Sequence, residues 1–215
     1  VSIAWYREMG FLPEAICNYL ALLGWSPGDD LENITMKQLT EMFTVEKVHS
    51  SPARFDMKKL EAINGDKIRA LTLDEFLRWS LPFLTKADVI TGTDAEIELV
   101  KKALPIIQER IIMLNEVPKM LKFLFTKSFA VEAESVSKIT DDASKEILKR
   151  SVKELETVSD WTHTNIEAVL RASLIEEMAL KPRIAFTALR IATTGSTISP
   201  PLFESMELLG KEACL

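Results

Sequence analysis

Glycine is scarce in this chain, seven in 215 residues, too few for the tight turns of a strand-and-hairpin fold. Cysteine is scarcer. Cys17 and Cys214 lie far apart at no metal or redox spacing, which excludes a disulfide framework and fits a reducing, cytoplasmic home. Cys17 falls in an apolar helical pattern and is expected to be a small core residue. The two histidines, His49 and His163, have no second ligand at coordinating spacing, so no zinc site is expected. No apolar run approaches the roughly 18–20 residues of a membrane span, and no membrane partner is expected. There is no signal-peptide pattern. The chain opens at Val1 rather than Met and runs almost directly into a helical pattern, as expected of a piece of a longer protein.

Catalytic signatures are missing as well. There is no glycine-rich phosphate loop, no HExxH, and no serine or cysteine with a plausible neighbouring base. Glu176 and Glu177 adjoin, so on a helix their side chains diverge and make a poor acid–base dyad. The net charge of −6 argues against indiscriminate nucleic-acid binding, which uses a basic surface, and no DNA partner is expected. A local basic face stays open. Acidic pairs such as Asp29-Asp30 and Asp141-Asp142 read as solvated surface.

What is present is helical. The hydrophobic fraction of 47% and charged fraction of 27% are those of a globular chain with one large domain or two or three small ones. Three capping boxes stand out: Thr72 to Glu75, Thr93 to Glu96 and Thr164 to Glu167. In each, the hydroxyl and the carboxylate satisfy opposite free N–H groups of a first helical turn. Further helices are expected over Ser2 to Met9, over Pro13 to Leu23, from Thr35, and from Asp56 to a stop at Asn64-Gly65. Others are expected over Asp66 to Leu71, from Asn115 and from Thr140-Asp141-Asp142. Pro82 and Pro105 should disturb their helices. The stretch His49-Ser50-Ser51-Pro52 reads as an irregular connection. No strand pattern, repeat or low-complexity linker appears, and the fold class is all-α. Trp5, Tyr6, Trp25, Phe43, Phe55, Trp79 and Trp161 read as packing residues, although Trp25, in a loop, would also suit base stacking.

The stretch from Lys181 to Gly210 is the most organised. Pro182 suits a helix start and Gly195 a left-handed helix end. Arg183 and Arg190, two turns apart, point the same way. Ser199 is expected to cap the next helix, with Pro200 and Pro201 in its first turn. Two helix ends and two arginines so converge on one polar turn, which suits a polar or anionic ligand. The same spacing also fits an ordinary helical corner with solvated arginines.

Particular phrases carry a family resemblance. Tyr6, Gly10-Phe11-Leu12-Pro13-Glu14-Ala15, Asn18-Tyr19-Leu20 and Leu23-Gly24-Trp25-Ser26 resemble the segment after the KMSKS-type loop of bacterial glutamyl-tRNA synthetases. Phe55-Asp56, Lys59-Leu60 and Asn64-Gly65 resemble later phrases of the family. Leu189-Arg190, Thr194-Gly195 and Ser199-Pro200-Pro201-Leu202-Phe203-Glu204 to Glu212 resemble its anticodon-binding terminus. The HIGH-type motif and the KMSKS-type loop are absent. The resemblance therefore implies a C-terminal tRNA-binding part without the nucleotide-binding domain, inactive by itself. Its parent would be a monomeric class I ligase that joins glutamate to tRNA with ATP and magnesium.

The implied layout is a stem-contact region over 1–71 and two helical anticodon-binding subdomains over 72–127 and 128–215. The implied partner is tRNA(Glu), and no cofactor is implied for this part. Arg110 matches the arginine that meets the third anticodon base in relatives that discriminate Glu from Gln tRNA. Arg171 and Arg190 match anticodon-contacting arginines. Ser199 stands where relatives often have threonine, each offering a hydroxyl to a base edge. Leu202 matches an apolar contact beneath a base. Guanidinium groups suit such roles because they bond bidentately and stack on splayed bases. The alternative from another class is a non-enzymatic helical scaffold or protein-interaction module.

Overall fold

Every regular element among the described residues is helical in the computed structural model, which describes residues 2–28, 31–49, 54–126 and 131–215. Asp29-Asp30 and Ser50-Ser51-Pro52 lie outside the described residues. In chain order the helices are α1 (Ile3–Met9), α2 (Pro13–Leu22), α3 (Met36–Met42), α4 (Met57–Ala70) and α5 (Leu73–Lys86). Then follow α6 (Asp94–Ala103), α7 (Pro105–Gln108), α8 (Val117–Leu121), α9 (Ala133–Val136) and α10 (Asp142–Glu156). The last are α11 (His163–Arg171), α12 (Pro182–Thr194), α13 (Leu202–Leu209) and α14 (Lys211–Cys214).

Local signals set most of the starts. Ser2, Thr35, Asp56, Thr72, Thr93 and Asp141 each accept a backbone N–H with the side chain at a helix entry. Pro105 ends α6 and opens α7. Pro82 is carried inside α5 instead of disturbing its end. At α11 the cap is Thr162, two residues before the expected Thr164. Glu167, expected to close that capping box, pairs with Arg171 one turn on, at 2.6 Å.

The chain divides into two compact units, Val1–Asp88 with Ile107–Lys119, and Val89–Ile106 with Met120–Leu215. In the first, α2 packs on α4 through Ala15, Asn18 and Tyr19 on one side and Leu60 and Ile63 on the other. The Asn64-Gly65 pair does not stop α4. Asn64 is fully buried, and its side chain works in tertiary contacts. It accepts from Leu12 N–H at 2.8 Å and donates to the carbonyls of Ile112 at 2.6 Å and Gly10 at 3.3 Å. An asparagine whose amide finds partners outside its own helix has no reason to end that helix. Gly10 is needed where it stands, because a Cβ there would fall 2.5 Å from the Leu114 backbone nitrogen.

Cys17 is exposed, contrary to the expected core position. Apolar residues occur on both sides of α2, and the side that packs is that of Ala15 and Tyr19. Cys17 and the exposed Leu20 lie on an apolar groove with Tyr6, Phe55 and Trp79. Trp25 is buried with Ile34 and Leu39.

An apolar cluster joins four helices of the second unit. Ile147 and Leu155 of α10, Ile166 and Leu170 of α11, Ala185, Ala188 and Leu189 of α12, and Leu202 and Met206 of α13 meet there. Polar bonds lock its edge. The Trp161 indole donates to the Met206 carbonyl at 2.9 Å, and Lys211 donates to the carbonyls of Glu156 and Val158.

Candidate functional site

Helix α12 carries the site. Pro182 occupies its first turn, and Gly195 closes it in the left-handed conformation, φ 78°. The buried stripe Ala185, Ala188, Leu189 and Ile191 faces the core. That register leaves Arg190 half-buried at the margin, where its guanidinium donates to the Ser199 hydroxyl at 2.6 Å and the Pro200 carbonyl at 2.7 Å. The loop between α12 and α13 is thus tied back onto the helix that precedes it. Thr194 donates to the Arg190 carbonyl at 2.8 Å, and Ser196 donates to a Glu132 carboxylate oxygen at 2.7 Å. Ile198 stands exposed at the loop tip.

Ser199 does not cap α13. Helix α13 begins at Leu202 behind Pro201, without a side-chain cap. The Ser199 hydroxyl is buried, accepts from Arg190 and donates to the Pro200 carbonyl. Two consecutive prolines hold the chain extended before the helix, and the hydroxyl is left beside the guanidinium. Arg183, two turns before Arg190, is exposed.

The other expected residues divide. Leu202, the first residue of α13 after the loop, is buried in the apolar cluster. Arg171, the last residue of α11, is exposed and lies over the Phe186 ring, its Cζ 5.3 Å from the ring centroid. Arg171, Arg190, Ser199 and Leu202 all belong to the second unit, whereas Arg110 is exposed on a turn of the first.

Sequence reading missed the aromatic pair. Phe186 meets Phe203 edge to face, with ring centroids 5.3 Å apart and planes at 85°. Phe186 stands one turn before Arg190, and Phe203 follows Leu202. Those offsets were the available signal. Glu167 was read as a cap, but its spacing to Arg171 is that of a helical ion pair.

This margin carries two arginines, an aromatic pair and a loop held by the Ser199 hydroxyl and the Pro200 carbonyl. It is suited to flat, polar ligands with hydrogen-bonding edges. Among the described residues no group of three or more His, Cys, Asp or Glu side chains is placed to hold a metal ion. No helix among them is long and apolar enough to cross a membrane.

A family model described as "Anticodon binding domain" matches residues 72–215, and one described as "tRNA synthetases class I (E and Q), catalytic domain" matches residues 1–62. The glutamate–tRNA ligase of Saccharopolyspora erythraea is 43% identical over 213 residues, covering 98% of this chain and 42% of that protein. That of Arthrobacter sp. is 44% identical over 218 residues, covering 97% and 42%. The chain thus spans less than half the length of these relatives. A crystal structure of a glutamate tRNA ligase from Elizabethkingia meningosepticum matches with a TM-score of 0.80 at 24% identity, covering 97% of this chain and 40% of that one. That likeness agrees with the all-α fold read from the sequence.

Proposed function

This chain belongs to the anticodon-binding domain family of class I tRNA synthetases, and on that premise we propose that it is the tRNA-binding part of a cytoplasmic, monomeric glutamate–tRNA ligase. The ligase would join glutamate to tRNA(Glu) with ATP and magnesium. The chain's task is to hold the tRNA. Residues 1–71 would contact the inner stem, and the helical regions 72–127 and 128–215 would receive the anticodon.

The observation that carries this reading is the Arg190–Ser199–Pro200 tie at the margin of α12. It fixes a guanidinium, a hydroxyl and a proline carbonyl in one place, the carbonyl two residues before the buried Leu202. Single-stranded RNA is read by hydrogen bonds to base edges and by stacking, and a fixed arginine fork beside an apolar floor supplies both. Arg190, Ser199 and Leu202 would form one pocket, and Arg171 would sit at its side. Arg110, on the other unit, would sense the base that separates Glu from Gln tRNA. Replacing Arg110 by Gln should narrow the preference for tRNA(Glu), and an unchanged preference would remove that role.

Nuclease footprinting of tRNA(Glu) on the chain tests the whole reading. Protection is expected over the anticodon loop and the inner stem. Binding with no protection of the anticodon loop would overturn it.

A further inference from the structure

Resting on the reading of this margin as an anticodon site, we infer that Phe186 is a positioning residue, whose ring holds the Arg171 guanidinium as a stacking surface for one unpaired RNA base. The parts are already assembled. Phe186 is half-buried on α12 and wedged against Phe203 of α13. Arg171 reaches across from α11 to lie over that ring. Glu167 accepts from the Arg171 Nε at 2.6 Å, so the inner edge of the guanidinium is held by a carboxylate and one face is backed by an aromatic ring. Yet the Arg171 side chain keeps 48% of its surface in solvent. A guanidinium backed in this way is flat and oriented, and its delocalised plane stacks on bases.

The ring is the element that sets this orientation. A helical Arg–Glu pair by itself lies along its own helix surface, and exposed ion pairs order side chains weakly. Arg171 keeps that pair on α11 and also lies over the Phe186 ring of α12. Phe186 and Arg190 are one turn apart, about 6 Å along the helix axis. The stacking surface and the Arg190–Ser199 tie are therefore neighbours on α12. A loop with its bases splayed could place one base on the platform and present the edge of another to the fork. Stacking of this kind tolerates any base, because every base has a π face. The platform would then supply affinity, and the fork would supply discrimination.

The test uses the full chain with tRNA(Glu) and three versions of it, each lacking the base at one anticodon position. With the unaltered chain, loss of one particular base should weaken binding about tenfold, in the range of single-base stacking effects. Phe186→Leu keeps an apolar side chain against the core and removes the ring. It should weaken binding of intact tRNA by a similar factor and abolish the further penalty at that one position. Phe186→Tyr should restore both. Arg171→Gln, made on an exposed side chain, should show the same loss of the position-specific penalty. Unchanged binding by Phe186→Leu, or weaker binding with all three base penalties intact, would overturn the inference. If the unaltered chain binds no tRNA at all, the functional reading fails and this inference with it.

Discussion

The Arg190 guanidinium donates to the Ser199 hydroxyl at 2.6 Å across the α12–α13 loop, and a second bond to the Pro200 carbonyl at 2.7 Å locks the same loop. Arg190 thus holds the end of the loop that leads into α13, while Thr194 and Ser196 hold its start. Arg190→Ala removes the guanidinium from the buried Ser199 hydroxyl and Pro200 carbonyl. It should cost about 2 kcal/mol, in the range of hydrogen bonds to charged groups. Ser199→Ala, which leaves the carbonyl bond in place, should cost about 1 kcal/mol. Urea unfolding of both variants checks the order. Equal costs would show that the carbonyl bond contributes nothing.

Asn64 supplies a second stability prediction. Its amide serves three backbone groups of the first unit, from Gly10, Leu12 and Ile112. Asn64→Ala strips the Leu12 N–H and the Ile112 carbonyl of this partner, while the Gly10 carbonyl keeps its bond from the Leu114 N–H at 3.1 Å. A loss of about 3 kcal/mol is expected, because stranded buried polar groups cost about 1–3 kcal/mol each and partly relax. A loss below about 1 kcal/mol in denaturant unfolding would contradict the clamp.

How far the sequence was legible follows from these two cases. Capping residues act within one turn, so Thr35, Asp56, Thr72, Thr93 and Asp141 announced their helices from sequence spacing alone. Asn64 did not. Asn-Gly is a common helix stop, and only partners 48 to 54 residues away reveal a different use. Cys17 was misplaced for a related reason, since periodicity shows that a helix has apolar faces without saying which one packs. At the candidate site, the family phrases named Arg190, Ser199, Arg171 and Leu202. The tie between the first two, and the Phe186–Phe203 pair under Arg171, depend on how α11, α12 and α13 pack.

Glu96 predicts a pH dependence. Its carboxylate accepts the N–H groups of Thr91, Gly92 and Thr93 and the hydroxyls of Thr91 and Thr93. The Thr93 N–H leads the bonds that hold its pKa down to about 2, below the usual 4.5. A lowered carboxylate pKa stabilises the fold fully above the ordinary value, and that stabilisation is lost as pH falls through the lowered one. The melting temperature of the unaltered chain should exceed that of Glu96→Gln at pH 7. The gap should close between about pH 4.5 and 2. A gap that stays constant over that window would contradict the assignment.

The two thiols should differ sharply. Cys17 is exposed, while burial pushes Cys214 up to about 12. The thiolate is the reactive form. Titration of the folded chain with a thiol-specific disulfide reagent at pH 7.5 should register one fast thiol, lost in Cys17→Ser. Two equally fast thiols would place Cys214 in solvent.

The most direct measurement is the ratio of dissociation constants of the full chain for two tRNAs identical except for the anticodon, one carrying the Glu anticodon and one altered. With the unaltered chain the Glu anticodon should bind at least tenfold tighter, and Arg190→Ala should lower the ratio, since its own base-edge contacts are gone. A ratio near one for the unaltered chain would contradict anticodon recognition.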